Sequence, residues 1–287
     1  MLTYHITLPD TFETCDLRTL LQDKWLIPRK VRHYLRMNKQ VLVNDVSQHF
    51  HENVHAGDLI TIHLDEKDYP KPEIILGDRE KITPLYEDEH LLIVDKPVKM
   101  KTHPNQPDEN DTLLNHVASY LADEQVSPYI VHRLDKETSG VIMLAKSPLI
   151  LPVLGRMLEN KEIRRTYQAV ASGKLNEPQF VISKPIGRDR HDKRKRRISE
   201  HGQEAITHVS VLKTSAKQSE ISCQLETGRT HQIRVHLASI GHPIIGDPLY
   251  HPKSTSTERL ALHAKTLSFK HPFTDEEITV DSPFSLY

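Results

Sequence analysis

A short polar segment between two apolar runs is the first candidate for chemistry in this sequence. The carboxylate of Asp135 lies between His132 and Thr138. The β-branched runs at 129–131 and 141–145 flank the segment and predict buried strands. A polar loop between two buried strands can present a reactive group on a rigid support. Asp135 is therefore a candidate reactive carboxylate, although the same spacing also fits a turn whose aspartate only caps its own backbone.

Three motifs resemble the signatures of one enzyme family, the RluA-type pseudouridine synthases. They are His-Arg-Leu-Asp-x-x-Thr-Ser-Gly at 132–140, Leu-x-Thr-Gly-Arg-Thr-His-Gln-Ile-Arg-Val-His-Leu at 225–237 and Gly-Asp-Pro-Leu-Tyr at 246–250. The resemblance extends over most of 85–287. It implies an isomerase that converts uridine in RNA to its carbon-linked isomer. It also implies that RNA is the partner and that no metal or cofactor takes part.

The resemblance also implies which residues serve the reaction. Asp135 would be the essential carboxylate and Arg229 would be its cationic partner, because a nearby opposite charge favours the ionised carboxylate. Tyr167 follows Arg165 in a predicted strand that is similar to the family's Lys-x-Tyr element. Its ring would face the uracil and its phenol oxygen could collect the C5 proton. Taken alone, Tyr167 equally fits a core residue of the strand.

The implied reaction breaks a glycosidic bond, turns the uracil and rejoins the sugar to carbon C5. The carboxylate could add to the base, add to the sugar or help to expel the base, and the sequence does not choose between these routes. Because uracil is inaccessible inside a base stack, the target uridine must be flipped out. Single-stranded loops and bulges make this easiest.

The region before the catalytic motifs predicts a small separate module. Leucine spacing at 17–21 and Pro28 predict two helices, and the turn signal Asn44-Asp45 together with the alternating run 59–64 predicts a small sheet. On the second helix Val31, Tyr34 and Leu35 are expected to face the core. Arg29, Arg32 and Arg36 would form a basic opposite face. This arrangement resembles the S-four-type RNA-binding fold, although a solvated charged helix face is a common alternative.

The most basic stretch of the chain runs from 184 to 197. It holds eight Lys or Arg residues and two Asp residues, Asp189 and Asp192, which gives a net charge of +6 (eight minus two). Because like charges repel, we expect a mobile loop that grips RNA phosphates. With the helix face above, the expected RNA-binding residues are Arg29, Arg32, Arg36, Arg133, Arg188, Lys193, Arg194, Lys195, Arg196 and Arg197.

These observations predict an α+β protein with an S-four-like module at 1–70, a linker at 71–84 and a catalytic domain at 85–287. The mostly antiparallel central sheet is what the resemblance implies. Periodicity predicts helices near 112–121 and 149–160, paired strands near 208–212 and 219–225, and two closing strands within 259–280. Lys99 stands where the family usually has glycine, so the loop after Pro97 could differ in shape.

Composition limits the other possibilities. The chain has 27% charged and 37% hydrophobic residues, a net charge of −1 and two distant cysteines. It contains neither a membrane-length apolar run nor a signal peptide, so we expect a cytoplasmic monomer without a disulfide framework. The 19 histidines include no HExxH or CxxC spacing, so no metal site is predicted.

Two rival functions are consistent with part of the pattern. One is an RNA-binding ribosome-assembly factor without catalysis, which the presence of Asp135, Tyr167 and Arg229 together disfavours. The other is a glycosidase, which would need a second carboxyl group as acid or base. Glu137 is the only nearby candidate for that second group.

Overall fold

The computed structural model describes residues 1–251 and 259–287. The first part of the chain folds around an antiparallel sheet, and its Asn44-Asp45 turn has φ of +48° and +65°, as the turn signal predicts. The strands are β1 (Leu2–Thr7), β2 (Cys15–Asp16), β3 (Val41–Val43), β4 (Val46–Ser47), β5 (Asn53–Val54) and β6 (Leu59–Leu64), and the helices are α1 (Leu17–Thr19), continued by a π-helical turn at Leu20–Lys24, and α2 (Arg29–Met37). The sheet order is β1-β6-β3-β4, while β2 pairs with β5.

Helix α2 is rotated relative to the sequence prediction. Leu35 is buried, but Tyr34 is 49% exposed and Arg32 is half-buried. The predicted apolar face is therefore wrong at Tyr34. Arg32 lies close enough to Arg156 of the catalytic part for the charge of Arg156 to act on it, and burial together with that charge lowers the pKa of Arg32.

The N-terminal module packs directly on the catalytic part. The rings of Trp25 and Phe273 meet edge to face with centroids 5.0 Å apart. Arg156 Nη1 donates to the backbone oxygen of Leu26 at 3.1 Å. Buried apolar side chains of both parts belong to one continuous core. The module therefore has a fixed position on the catalytic part.

The catalytic part contains a large mixed sheet. Its strands and helices are β7 (Pro84–Glu87), β8 (Leu91–Lys96), α3 (Leu113–Tyr120), β9 (Tyr129–Ile130), β10 (Ser139–Ala145), α4 (Ile150–Glu159), β11 (Arg164–Ser172), β12 (Gln179–Ser183), β13 (Ile186–Arg188), β14 (Arg196–Ile198), β15 (Ile206–Thr214), β16 (Gln218–Leu225), α5 (Gln232–Ser239), β17 (Leu262–Lys270) and β18 (Glu277–Asp281), with 3-10 turns at Arg79–Lys81 and Ala122–Glu124. The main path is β12-β15-β16-β11-β17-β10-β8-β7, with β9 paired to β10 and β18 paired to β17. Of the described pairs, β10 with β17 is parallel and the others are antiparallel. The predicted α+β fold class is confirmed.

The two faces of this sheet pack against different layers. Alternate residues of β8 and β10, such as Ile93 and Met143, join the core that includes α4 and the N-terminal module. Their neighbours, such as Val94 and Ile142, join a second core with residues of α3 and α5 and with Tyr167. Burial on both faces explains why β10 is a continuous apolar run rather than an alternating one. The second face carries the site described below.

The stretch at 184–197, expected to be a loop, instead contains a β-hairpin. Strands β13 and β14 pair as a hairpin, with Ile186 opposite Ile198. In the turn Asp189 accepts from the backbone nitrogens of His191 and Asp192, and Asp192 pairs with Arg194 at 2.8 Å. The two carboxylates thus organise the turn and offset part of the repulsion between the basic side chains. Within the described residues, no helix has the length and apolar character that crossing a membrane requires.

Candidate active site

The loop that carries Asp135 is fixed by the segment after β8. Thr102 Oγ1 donates to Leu134 O at 2.8 Å and accepts from Leu134 N at 3.3 Å. The ammonium of the fully buried Lys96 donates to Met100 O at 2.8 Å and lies 3.5 Å from Lys136 O. These bonds hold the backbone on both sides of Asp135.

Two unusual backbone positions shape this region. Lys99 has φ of +68°, so it adopts the left-handed conformation that glycine usually takes there. We expected that the loop after Pro97 could differ in shape because Lys99 replaces glycine. The backbone angle at Lys99 gives no sign of such a difference. Gly140 ends the Asp135 loop with φ of +112°, and a Cβ at this position would lie 2.1 Å from Ala264 O. Glycine is required at 140 because strand β17 passes so closely.

The cation bound to Asp135 is Arg234. Arg234 Nη1 donates to Asp135 Oδ2 at 3.0 Å. The same guanidinium binds Asp247 through Nε at 2.8 Å and Nη2 at 2.9 Å. Arg234 is 2% exposed and Asp247 is 0% exposed, so the arginine bridges two carboxylates in a largely dry environment. Such bidentate charge-assisted bonds fix geometry as well as charge.

The prediction that Arg229 pairs with Asp135 is therefore wrong. Arg229 Nε donates to Glu204 O at 2.9 Å. The chain turns between the two arginines, where His231 has φ of +60° and helix α5 begins at Gln232. Arg234 thus lies on the buried side of the first helical turn, while Arg229 precedes the turn and lies at the rim of the cavity.

The aspartate also has a histidine and a tyrosine nearby. His231 Nε2 lies 3.7 Å from Asp135 Oδ2, and His231 Nδ1 is hydrogen-bonded to Tyr250 Oη at 2.9 Å. Burial lowers the pKa of His231, although the charge of Asp135 acts in the opposite direction. Tyr250 Oη also accepts from the backbone nitrogen of Arg196 at 2.8 Å. This contact connects the basic hairpin to the centre of the site.

Tyr167 lines the same cavity and is 5% exposed. Burial raises the pKa of its phenol, Arg165 acts against that rise and the charge of Asp135 adds to it. A raised pKa favours the protonated phenol, which can donate a hydrogen bond. The role in collecting the C5 proton that the resemblance suggests stays a prediction. Arg165 is 8% exposed, and its Nε finds no hydrogen-bond partner among the described residues.

These groups surround an open cavity of about 970 Å³. The volume is in the range of sites that hold small organic ligands, so a flipped nucleotide fits. Its lining includes the charged or aromatic side chains of Arg133, Asp135, Arg165, Tyr167, Arg229 and Arg234.

The predicted RNA-binding residues lie in separate places. Arg133 is exposed on the main cavity, with Nη2 3.5 Å from Thr230 Oγ1. Arg188 and Arg196 line a smaller cavity beside it. Arg194 is held by Asp192, and Lys193 and Arg197 are exposed on the hairpin with Lys195 half-buried. On helix α2, Arg29 and Arg36 are exposed, whereas Arg32 donates to Gln22.

The sequence interpretation did not assign a role to Arg234, Asp247, His231 or Tyr250. A signal for Arg234 was present, because an arginine beside Ile233 and Leu237 on a short helix has to find a partner when that helix is buried. Asp247 in the downstream motif is a suitable carboxylate. Among the described residues, no group of three or more His, Cys, Asp or Glu side chains is placed to hold a metal ion.

Comparisons with known proteins agree with this geometry. The RNA pseudouridylate synthase family matches residues 90–239, and the N-terminal domain of the ribosomal pseudouridine synthase RluD matches residues 4–60. The chain belongs to the RNA pseudouridine synthase family and is an isomerase acting on RNA.

Individual relatives cover most of the chain. It is 42% identical over 251 residues to the uncharacterised RNA pseudouridine synthase YhcT of Bacillus subtilis, covering 86% of this chain and 82% of that protein. It is 39% identical over 210 residues to the ribosomal large subunit pseudouridine synthase D of Nitrosomonas europaea, and the match covers 69% of this chain and 61% of that protein. The structure is similar to human RNA pseudouridylate synthase domain containing 1, with a TM-score of 0.61 and 25% identity over 72% of this chain and 85% of the human chain.

Proposed function

We propose that this enzyme modifies uridines of ribosomal large-subunit RNA and that Asp135 is its essential carboxylate. The observation that supports the catalytic role is the position of Asp135, which lines the cavity with its side chain 23% exposed and is bound to the buried Arg234. The proposed substrate rests on relatives such as the Nitrosomonas europaea protein, which is named for the large ribosomal subunit.

Each group near Asp135 would have a different task in the proposed reaction. Arg234 binds Oδ2, and among the described residues no hydrogen-bond donor reaches Oδ1. Oδ1 is therefore the oxygen that would act on the flipped nucleotide, while Arg234 would hold the carboxylate in position through Oδ2. Tyr167 would pack against the uracil and donate a hydrogen bond, since its raised pKa keeps the phenol protonated.

RNA would reach this site over a basic surface. Arg133 at the cavity, the β13–β14 hairpin and the exposed Arg29 and Arg36 of α2 would bind phosphates, which supply much of the affinity of such proteins. In this arrangement residues 1–70 form an S-four-like RNA-binding module, 71–84 a linker and 85–287 the catalytic domain. The enzyme would act as a cytoplasmic monomer, and it would need no cofactor.

Mapping pseudouridines by chemical labelling tests the proposed substrate. RNA would be compared from cells with the protein, cells without it and cells that contain only Asp135→Asn at an equal protein level. We expect one or a few large-subunit positions to lose the modification in the last two strains. Loss confined to transfer RNA would contradict the ribosomal assignment, and full modification by the Asn variant would contradict the role of Asp135. An isomerised nucleoside of unchanged mass, without release of free uracil, would exclude the glycosidase alternative.

A further inference from the structure

A second cavity of about 300 Å³ lies beside the main one. Arg229 and Thr230 line both cavities and form the wall between them. On its other sides the second cavity is bounded by the basic hairpin and the turn at 199–203, including Arg188, Arg196 and His201. We call this space the side cavity.

The arginines of the side cavity carry uncompensated charge. Arg229 donates to Glu204 O at 2.9 Å, and Arg196 Nη1 donates to Lys195 O at 3.0 Å. These acceptors are neutral backbone oxygens. Within residues 1–251 and 259–287, no carboxylate oxygen lies within 4 Å of the guanidinium nitrogens of Arg188, Arg196 or Arg229. Arg194 on the same hairpin, by contrast, is paired with Asp192. Guanidinium groups gathered around a cavity without a carboxylate are suited to bind an anionic ligand.

The floor of the side cavity is formed by closely packed backbone. Ile186 and Gln203 exchange backbone hydrogen bonds of 2.8 and 2.9 Å, and Gly202 N donates to Ser199 O at 2.7 Å. A Cβ on Gly202 would lie 2.5 Å from the carbonyl carbon of Ile186. Glycine at 202 therefore allows the turn to pack directly against β13, and the backbone hydrogen bonds define the floor of the cavity.

The lining also indicates which part of an RNA the side cavity would accept. Among the described residues that line it, the one aromatic ring is the imidazole of His201, so it offers bases a smaller stacking surface than a Phe, Tyr or Trp ring would. The main cavity has such a ring in Tyr167. We propose that the side cavity binds a phosphodiester group next to the target uridine while the uracil enters the main cavity. This inference rests on the proposed action of the enzyme on RNA and assigns a subsite within it.

Two side chains fix the distance between the side cavity and the catalytic carboxylate. The backbone nitrogen of Arg196 donates to Tyr250 Oη at 2.8 Å, and Tyr250 Oη is 2.9 Å from His231 Nδ1. The other ring nitrogen of His231 lies 3.7 Å from Asp135 Oδ2. A phosphate held by Arg196 and Arg229 would therefore sit at a defined distance from Asp135. It would help to position the uridine without touching the reacting atoms.

Phosphate neutralisation tests this subsite. The probe is a stem-loop of the substrate RNA around the uridine identified by mapping, with single phosphates on either side replaced by uncharged methylphosphonates. Binding is measured with Asp135→Asn, so that turnover does not disturb the titration. One replacement should weaken binding about tenfold, the order expected for one charge-assisted contact. The same replacement should change binding by less than about twofold when Arg229→Met is also present, because the contact is already lost.

A control arginine separates this contact from general electrostatics. Arg79 is exposed, pairs with Asp123 at 2.9 Å and lines neither cavity. With Arg79→Met the tenfold effect of the methylphosphonate should remain. If every methylphosphonate weakened binding by the same factor with and without Arg229→Met, the proposed phosphate subsite would be overturned. Failure of the active parent to isomerise this RNA would instead contradict the proposed substrate, and the binding comparison would be unaffected.

Discussion

Arginines occupy two contrasting environments in this enzyme. At the centre of the site Arg234 is buried and bridges Asp135 and Asp247. At the rim Arg229 and Arg196 donate to backbone oxygens, and within the described chain no carboxylate is close to either. A guanidinium that bridges the buried Asp247 and the partly exposed Asp135 fixes their relative positions, whereas one without a carboxylate would remain available to an RNA phosphate. We therefore expect different tasks for the two arginines of the same sequence motif, Arg229 and Arg234.

The largest effect should follow removal of the charge at the centre. Asp135→Asn keeps the volume, and Arg234 remains bound to Asp247 in the variant. We expect single-turnover pseudouridine formation to fall by about a thousandfold or more, as for loss of a nucleophile, with RNA binding and the melting temperature close to those of the parent. A variant that unfolds readily would show that Asp135 is mainly structural, and a near-parent rate would show that another group carries the chemistry.

Removal of Arg234 should damage stability as well as activity. Arg234→Met leaves Asp247, which is 0% exposed, without its cation. Breaking a buried pair in this way costs about 3–5 kcal/mol of unfolding free energy. Arg229→Met is the matched control and should cost about 1 kcal/mol or less, because it loses a hydrogen bond to a backbone oxygen. Urea unfolding of both variants at neutral pH measures their unfolding free energies. Equal losses in the two variants would contradict the contrast between a buried, paired Arg234 and a rim Arg229.

Lys96 gives a smaller effect that depends on pH. Burial lowers the pKa of Lys96 to about 8, although the charges of Asp135 and Glu137 oppose the shift. The unfolded chain, with the ordinary value of about 10.4, binds more protons between these two values, so the parent should gain stability as pH rises through that window. Relative to Lys96→Met, which cannot titrate, the gain should be up to about 3 kcal/mol. Denaturant unfolding measures the difference in unfolding free energy between the parent and Lys96→Met. If that difference stays constant from pH 7 to 10.5, folding does not change the pKa of this lysine.

The smallest effect concerns the rim. Neutralising Arg194, Lys195 and Arg196 together should weaken RNA binding about tenfold at moderate salt. The slope of log binding constant against log salt concentration should become shallower by about two, because binding releases fewer counterions when phosphate contacts are lost. Arg194 contributes least, since Asp192 already binds it. Binding titrations at several salt concentrations measure the slope. An unchanged slope would remove the hairpin from the RNA interface.

Local patterns in the sequence predicted the parts of the fold that local physics determines. The Asn44-Asp45 turn, strand β10 and helices α3 and α4 lie where periodicity and turn residues place them. The motif residues Asp135 and Tyr167 do line one cavity. The turn, the strand and the helices depend on interactions between near neighbours along the chain, whereas the placement of Asp135 and Tyr167 at one site was implied by the family resemblance.

Features that depend on distant packing were not predictable in the same way. Which side of α2 is buried depends on packing with residues distant in the sequence, such as those of β6. The choice of Arg234 over Arg229 depends on the left-handed turn at His231 and on Asp247. The order in the basic hairpin comes from Asp189 and Asp192, whose backbone contacts the sequence does not reveal.

The most direct test of the account separates the rate at saturating RNA from the RNA concentration that gives half that rate. Single-turnover kinetics would be measured for the parent, Arg234→Met and Arg229→Met at one ionic strength. We expect Arg234→Met to lose most of the saturating rate. Arg229→Met should keep a rate within a few-fold of the parent and need about tenfold more RNA for half-saturation. A saturating rate abolished by Arg229→Met but retained by Arg234→Met would contradict the assignment of Arg234 as the partner of Asp135.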